Sequence, residues 1–283
     1  MREFPDFIRI NLGSYVASFF EWFVEYFAVA FDALSGFLLS VLLLIEGVVL
    51  WMPWWVILLI VFVLALRLLS PGSAIAFVLM LLLVGSFGYW VHMMYTLSLV
   101  IASVLVSLIV GLPLGILMAY SNTLETIMTP ILDGMQTMPT FVYLIPAMLM
   151  LGMGIVPGVF ATTLFAVPPV IRLTSLAIRT VSAEMVEAAE SFGSSPWQLL
   201  TKVQIPQALP TIMAGINQTT MMALSMVVIA SMIGVKGLGM EVLIAINRLD
   251  LARGVEAGLG IVILAVITDR LSQGIARRFR VPD

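Results

Sequence analysis

Residues 94–120 read MYTLSLVIASVLVSLIVGLPLGILMAY, a run without one charged side chain and without the alternation of a half-buried strand. It exceeds the roughly 20 residues that a helix needs to cross the ~30 Å hydrocarbon core of a bilayer. In that solvent only helices and closed barrels satisfy their own backbone hydrogen bonds. The rest of the chain agrees. Of 283 residues, 61% are hydrophobic and 10% charged, and the mean hydropathy is +1.14; an ordinary soluble domain carries about 25% charged and 45–50% apolar residues. The sequence predicts an all-α, polytopic membrane protein of about seven spans, near 53–69, 72–90, 94–120, 135–152, 156–178, 210–233 and 254–273.

Pro130, Pro139, Pro146, Pro157, Pro168 and Pro169 crowd the middle of the chain. Helices there are expected to bend or break, which a membrane tolerates only where protein or a wet cavity covers the freed backbone groups. Residues 12–50 differ from the rest because Glu21, Glu25 and Asp32 interrupt an aromatic stretch. Each carboxylate costs about 2.5–3.5 kcal/mol at a helix centre, so residues 12–31 are expected to lie along the interface, while 33–50 can still cross. The opening MREFPDFIRINLG lacks the order of a cleavable signal peptide.

Several chemistries are excluded at once. There is no cysteine, hence no disulfide, thiolate metal site or cysteine nucleophile, and the single histidine, His92, builds no histidine-rich site. His92 lies between Trp90 and Tyr95 and reads as an interfacial or packing residue. The net charge of −3 gives no basic patch for nucleic acid. No nucleophile, base and metal set clusters in the sequence, so no catalytic residue is assigned.

The one charged, punctuated stretch between spans is 179–206, RTVSAEMVEAAESFGSSPWQLLTKVQIP. Burying Glu184, Glu187 and Glu190 in hydrocarbon would cost about 8–10 kcal/mol together, so the stretch is a folded loop on the aqueous side. Ser182 is placed to cap a helix whose first turn holds Glu184. At 100° per residue Met185, Ala188, Ala189 and Phe192 share one face and the glutamates the other. Gly193 supplies a left-handed stop. Ser195, Pro196 and Gln198 then give a capping box with proline at the first helical position. With this loop inside, Arg67, Arg172, Arg179, Lys202 and the Arg277, Arg278, Arg280 tail fall inside too, as the positive-inside rule expects, while Lys236, Arg248 and Arg253 fall outside.

Glu187-Ala188-Ala189, then Gly193, then Val203-Gln204-Ile205-Pro206 resemble the EAA loop of binding-protein-dependent ABC importers, with conservative departures at Val203 and Ile205. The text at 109–116, 132–147 (LDGMQTMPTFVYLIPA) and 214–234 (AGINQTTMMALSMVVIASMIG) is similar to the permeases for glycine betaine, proline betaine and choline. That resemblance covers roughly 94–275 and implies the transmembrane domain of a type I ABC importer in a bacterial cytoplasmic (inner) membrane. By the same resemblance Glu184, Glu187, Ala188, Ala189, Gly193, Ser195, Pro196 and Pro206 form the contact with the ATPase. The partners implied are a second copy of the chain, two separate ATPase subunits that hold ATP and Mg, and an extracytoplasmic substrate-binding protein; no cofactor is bound by this chain. An amphipathic N-terminal helix braces such permeases, which suits 1–50, followed by two accessory helices in 51–93, the core at 94–275 and a basic tail at 276–283.

Polar groups in a span face protein or water, so Asn217, Gln218, Thr220, Met221 and Ser225 are candidates for the translocation pathway, with interhelical hydrogen bonding the competing role. Asp133 and Gln136 sit before Pro139 at an inner helix end, suited to contact with the partner or, as the favoured role, to headgroups. Gly234–Gly239 contains Lys236 but lacks the Gly-Lys-Ser/Thr order of a phosphate loop. A self-sufficient carrier or channel is the alternative, and it needs intramembrane carboxylates, for which Asp269 is the nearest candidate.

Overall fold

Apolar runs end where prolines, glycines and serine caps stop them. The computed structural model describes residues 12–278, and the opening residues and Arg280 of the basic tail lie outside the described residues. Helices α1 (Leu12–Tyr26) and α2 (Ala28–Trp51) meet at Phe27, whose φ of −101° and ψ of 18° leave helical geometry. Pro53 precedes α3 (Trp54–Leu68), and Ser70, accepting from the Ser73 N–H, caps α4 (Pro71–Ser86). Then come α5 (Trp90–Tyr120), α6 (Asn122–Thr137), a 3₁₀ turn at Thr140–Tyr143 running into α7 (Leu144–Leu151), and α8 (Ile155–Arg179). A short hairpin of α9 (Ala183–Ser191) and α10 (Pro196–Gln198) leads through a π-helical turn at Leu199–Gln204 into α11 (Ile205–Ser231); α12 (Leu238–Arg248) and α13 (Leu251–Arg278) complete the chain.

Four expected spans, 94–120, 156–178, 210–233 and 254–273, are the long helices α5, α8, α11 and α13, and α2 is a fifth apolar helix long enough to cross. The others differ. Helices α3 and α4 have 15 and 16 residues, or about 22–24 Å of rise, short of a full ~30 Å crossing. The span expected at 135–152 is instead the far half of a broken one, because α6 and Thr140–Leu151 meet at 113° beside Pro139. Residues 12–31 do not form one element: 28–31 and Asp32 belong to α2, whose buried Leu38, Leu42, Ile45 and Val49 recur at helical spacing and pack into the main core.

At the centre stands α8, with 72% of its apolar stretch buried against 22% for α2. Lipid tails are as apolar as leucine, so helices in a bilayer associate through close packing and hydrogen bonds rather than the hydrophobic effect. Both devices are present. A Cβ on Gly115 of α5 would stand 2.7 Å from the Ile171 carbonyl oxygen and from Thr174 Cβ, so α5 and α8 touch at backbone level. Ser107 Oγ donates to the Ser103 carbonyl at 2.8 Å and lies 3.4 Å from that of Thr163, so a buried hydroxyl stitches the same pair. Gly215 brings α11 against the Pro169–Leu173 stretch in the same way.

The ends sort by side. Asn217 of α11 bonds Asp269 of α13, and earlier in α11 Pro210 and Ala214 face Ala276 and Arg277 later in α13, so these helices are antiparallel. The start of α11, the ends of α5, α8 and α13, and the 179–206 loop therefore share one end of the bundle. Arg278 reaches the Arg67 carbonyl at 2.5 Å, which brings the end of α3 there as well.

Candidate functional site

The 179–206 loop hangs from a rigid mounting. Arg179, last residue of α8, donates to the Met118 carbonyl at 2.7 Å and to Asn122 Oδ1 at 2.9 Å, and pairs with Glu125 at 3.0 Å. The Tyr120 hydroxyl donates to Gln204 Oε1, tying the end of α5 to the turn that starts α11. Beneath them Ala177, Ile178, Leu200, Ala208 and Ile212 form a separate small core. Each large side chain there contributes about 1.5–3 kcal/mol by leaving water.

Beyond the mounting the loop projects free. Gly193 (φ +80°) ends α9 in a two-bond left-handed stop: its N–H bonds the Glu190 carbonyl at 2.8 Å, and the Ser194 N–H bonds the Ala189 carbonyl at 3.1 Å. The capping box at Ser195 is complete, with its hydroxyl accepting from the Gln198 N–H and its own N–H donating to Gln198 Oε1 at 2.9 Å. Pro196 opens α10 and Pro206 lies in the first turn of α11. Ser182 does not cap α9 with its side chain; its carbonyl takes the Met185 and Val186 N–H groups instead.

Both faces of α9 are open. No residue of α9 is buried. Only Val186 and Ala189 are half-covered, whereas Met185 and Ala188 are exposed, and Phe192 and Trp197 stand 91% and 72% exposed. This helix overhangs its mounting. Glu184, Glu187 and Glu190 are exposed and in no ion pair with a described residue. The hairpin thus offers fixed geometry, bare aromatics and free carboxylates, the makings of a docking surface rather than a reaction centre.

The five pathway candidates of α11 part company. Asn217 turns to α13, where Nδ2 donates to Asp269 at 2.8 Å, and Thr220 is buried with its hydroxyl on the Ile216 carbonyl. Gln218 and Ser225 are exposed and Met221 half-exposed; with exposed Ala214 and Met232 they mark one unpartnered stripe. Asp269 is also held by Gln273, so it is spent on helix pairing. Asp133 is not a lone headgroup residue: it meets Arg172 of α8 at 2.5 Å, one rung above Glu125–Arg179 on the same two helices. Among the described residues no group of three or more His, Asp or Glu is placed to hold a metal.

At the opposite end a second constellation went unseen in the sequence. Glu241 of α12 is buried and receives Arg253 Nε and Nη2 at 2.8 and 2.7 Å, with His92 Nε2 at 3.2 Å. The Thr96 hydroxyl takes the Leu238 N–H at 2.9 Å, so α12 is pinned to α5 twice. Burial, then the Glu241 charge, raise the hydroxyl of neighbouring Tyr89 above its ordinary pKa. The lone histidine beside an aromatic pair was the available signal; the pairing of residues so far apart in the chain was not.

The model of the binding-protein-dependent transport system inner membrane component family matches residues 111–281. The chain is 56% identical over 207 residues to the glycine betaine/carnitine transport permease protein GbuB of Listeria monocytogenes, covering 73% of each chain. It is 46% identical over 271 residues to the glycine betaine/proline betaine transport system permease protein ProW of Escherichia coli, covering 96% of this chain and 77% of that one. To the glycine betaine transport system permease protein OpuAB of Bacillus subtilis it is 45% identical, covering 94% and 95%. An inward-facing structure of the MetNI methionine ABC transporter superposes with a TM-score of 0.60 at 20% identity, over 66% of this chain and 94% of that one, a likeness of fold.

Proposed function

Because the chain belongs to the family of binding-protein-dependent transport system inner membrane components, we propose that it is the permease subunit of an ATP-driven importer of glycine betaine or a related quaternary-ammonium osmolyte such as proline betaine, choline or carnitine. The observation that carries the mechanism is the overhanging hairpin, a stiff element with Phe192 and Trp197 bare and three glutamates free. Exposed aromatics of that kind anchor partner surfaces. The partner is a separate ATPase subunit that holds ATP and Mg, so this chain performs no chemistry of its own.

Transmission follows from the mounting. A push on α9 is handed through Arg179 to the ends of α5 and α8, and through the Tyr120–Gln204 bond to the start of α11. The unpartnered stripe of Gln218, Met221 and Ser225 then faces a second copy of the chain across the pathway. A binding protein delivers substrate at the α12 end. The substrate class rests on relatives at 45–56% identity whose names specify betaines and carnitine.

The deciding experiment is reconstitution. With its ATPase and binding protein, the chain is expected to accumulate labelled glycine betaine only in vesicles supplied with ATP. Uptake by the chain alone, driven by an ion gradient, would overturn the reading.

A further inference from the structure

Arg270 of α13 lies inside a spanning helix, two turns short of its end at Arg278. A guanidinium at that depth is costly unless it is paired or reaches water. It forms no ion pair with any described carboxylate, and the same holds for Arg277. The adjacent Asp269 does not neutralise it, because that carboxylate is bonded to Asn217 and Gln273. Arg270 and Arg277 are seven positions apart, about two turns, and so share one face of α13.

That face lines a cavity of about 430 Å³ between α13 and the α3–α4 hairpin, walled by Ser70, Ser73, Phe77 and Val266 beside Arg270 and Arg277. Its polarity is graded with depth. Arg277, Arg270, Ser70 and Ser73 lie toward the loop end of the bundle, and Phe77 and Val266 lie farther into the apolar layer on their respective helices. Gly274 against Leu68 and Leu69, and Arg278 on the Arg67 carbonyl, fix the two walls together. A free inorganic anion would use the basic end and leave the apolar end wet. A phospholipid uses both, with its phosphate between the guanidiniums and its first acyl carbons along Phe77 and Val266. Basic pockets between spanning helices on the cytoplasmic side hold anionic headgroups in this way.

We propose that this groove is a binding site for one anionic phospholipid of the leaflet at the loop end. None of its residues belongs to the hairpin or to the exposed stripe of α11, although Gln273 and Arg277 also border a second cavity beside Ala214 and Gln218; of the two cavities Arg270 lines the lipid groove alone.

The test uses the full chain, delipidated, offered equal phosphatidylglycerol and phosphatidylcholine, and examined by native mass spectrometry. The wild type is expected to retain phosphatidylglycerol in preference by on the order of ten- to thirtyfold, two basic groups at about a few-fold each. Arg270→Gln/Arg277→Gln should bring that ratio near one. Arg270→Lys/Arg277→Lys should keep most of it, and Arg248→Gln at the opposite end should leave it unchanged. Equal retention of both lipids by the wild type, or an undiminished preference in the double glutamine variant, would overturn the proposal. So would millimolar inorganic phosphate displacing the lipid completely, which would mark a plain anion site.

Discussion

Replacing Gly193 by valine isolates a single physical cause. A Cβ there meets nothing within 4 Å, so the site is open to a side chain. What changes is the backbone: φ is +80°, a region that costs an L-residue about 1–2 kcal/mol and more for a β-branched side chain. Relaxing it gives up the Gly193–Glu190 and Ser194–Ala189 hydrogen bonds, each worth about 0.5–1.5 kcal/mol net. The wild-type turn is therefore disfavoured by roughly 2–4 kcal/mol, a thirtyfold to several-hundredfold fall in its relative population. The spanning core is untouched, so insertion and thermal unfolding of the bundle should stay close to wild type. Substrate-stimulated ATP hydrolysis and uptake, measured together in the reconstituted complex, should be lost. Gly193→Asn provides the control, since asparagine tolerates a left-handed backbone and should retain most activity. Full activity in the valine variant, or equal loss in both, would refute the reasoning from the left-handed turn.

Glu187→Lys acts without touching the fold, because Glu187 is exposed and unpaired; stability should move by no more than about 0.5 kcal/mol, while ATPase stimulation in the same assay disappears. Gly115→Leu is expected to block close approach of α5 and α8, costing about 1–3 kcal/mol or more by overpacking, read as a lowered unfolding temperature, whereas Gly134→Ala, with open space around it, should be neutral or slightly stabilising. Glu241→Gln and Arg253→Gln should each lower the unfolding temperature, and the double variant should be no worse than the poorer single one, the signature of two groups that act as a pair.

What was legible in the sequence was local. The left-handed stop at Gly193 and the Ser195–Gln198 capping box are settled within a few residues, so residue type alone specified them. The proline cluster announced a break, and the break is at Pro139. Failures came wherever the answer depended on what lies underneath. Ser182 had the right side chain, yet its carbonyl was already in position. Of the two roles open to Asn217, the bond across the helix pair to Asp269 is the one whose partner no spacing rule could name. The Arg179 mounting and the Glu241 cluster join residues from different helices, a pairing that hydropathy and spacing do not encode.

The π-helical turn at Leu199–Gln204 carries a consequence for phase. There the Ile205 N–H bonds the Leu200 carbonyl, five residues back, so the path from Pro196 to Ser231 holds one residue more than an ordinary helix of that course would need. One residue is about 100° of rotation. The surplus sets the azimuth of the hairpin independently of the azimuth of α11, like an offset keyed into a shaft. Deleting a single residue from 199–204 would permit a regular helix and leave every side chain chemically as before, but it would swing Phe192, Trp197 and the glutamates about a quarter turn away from the direction in which they now point.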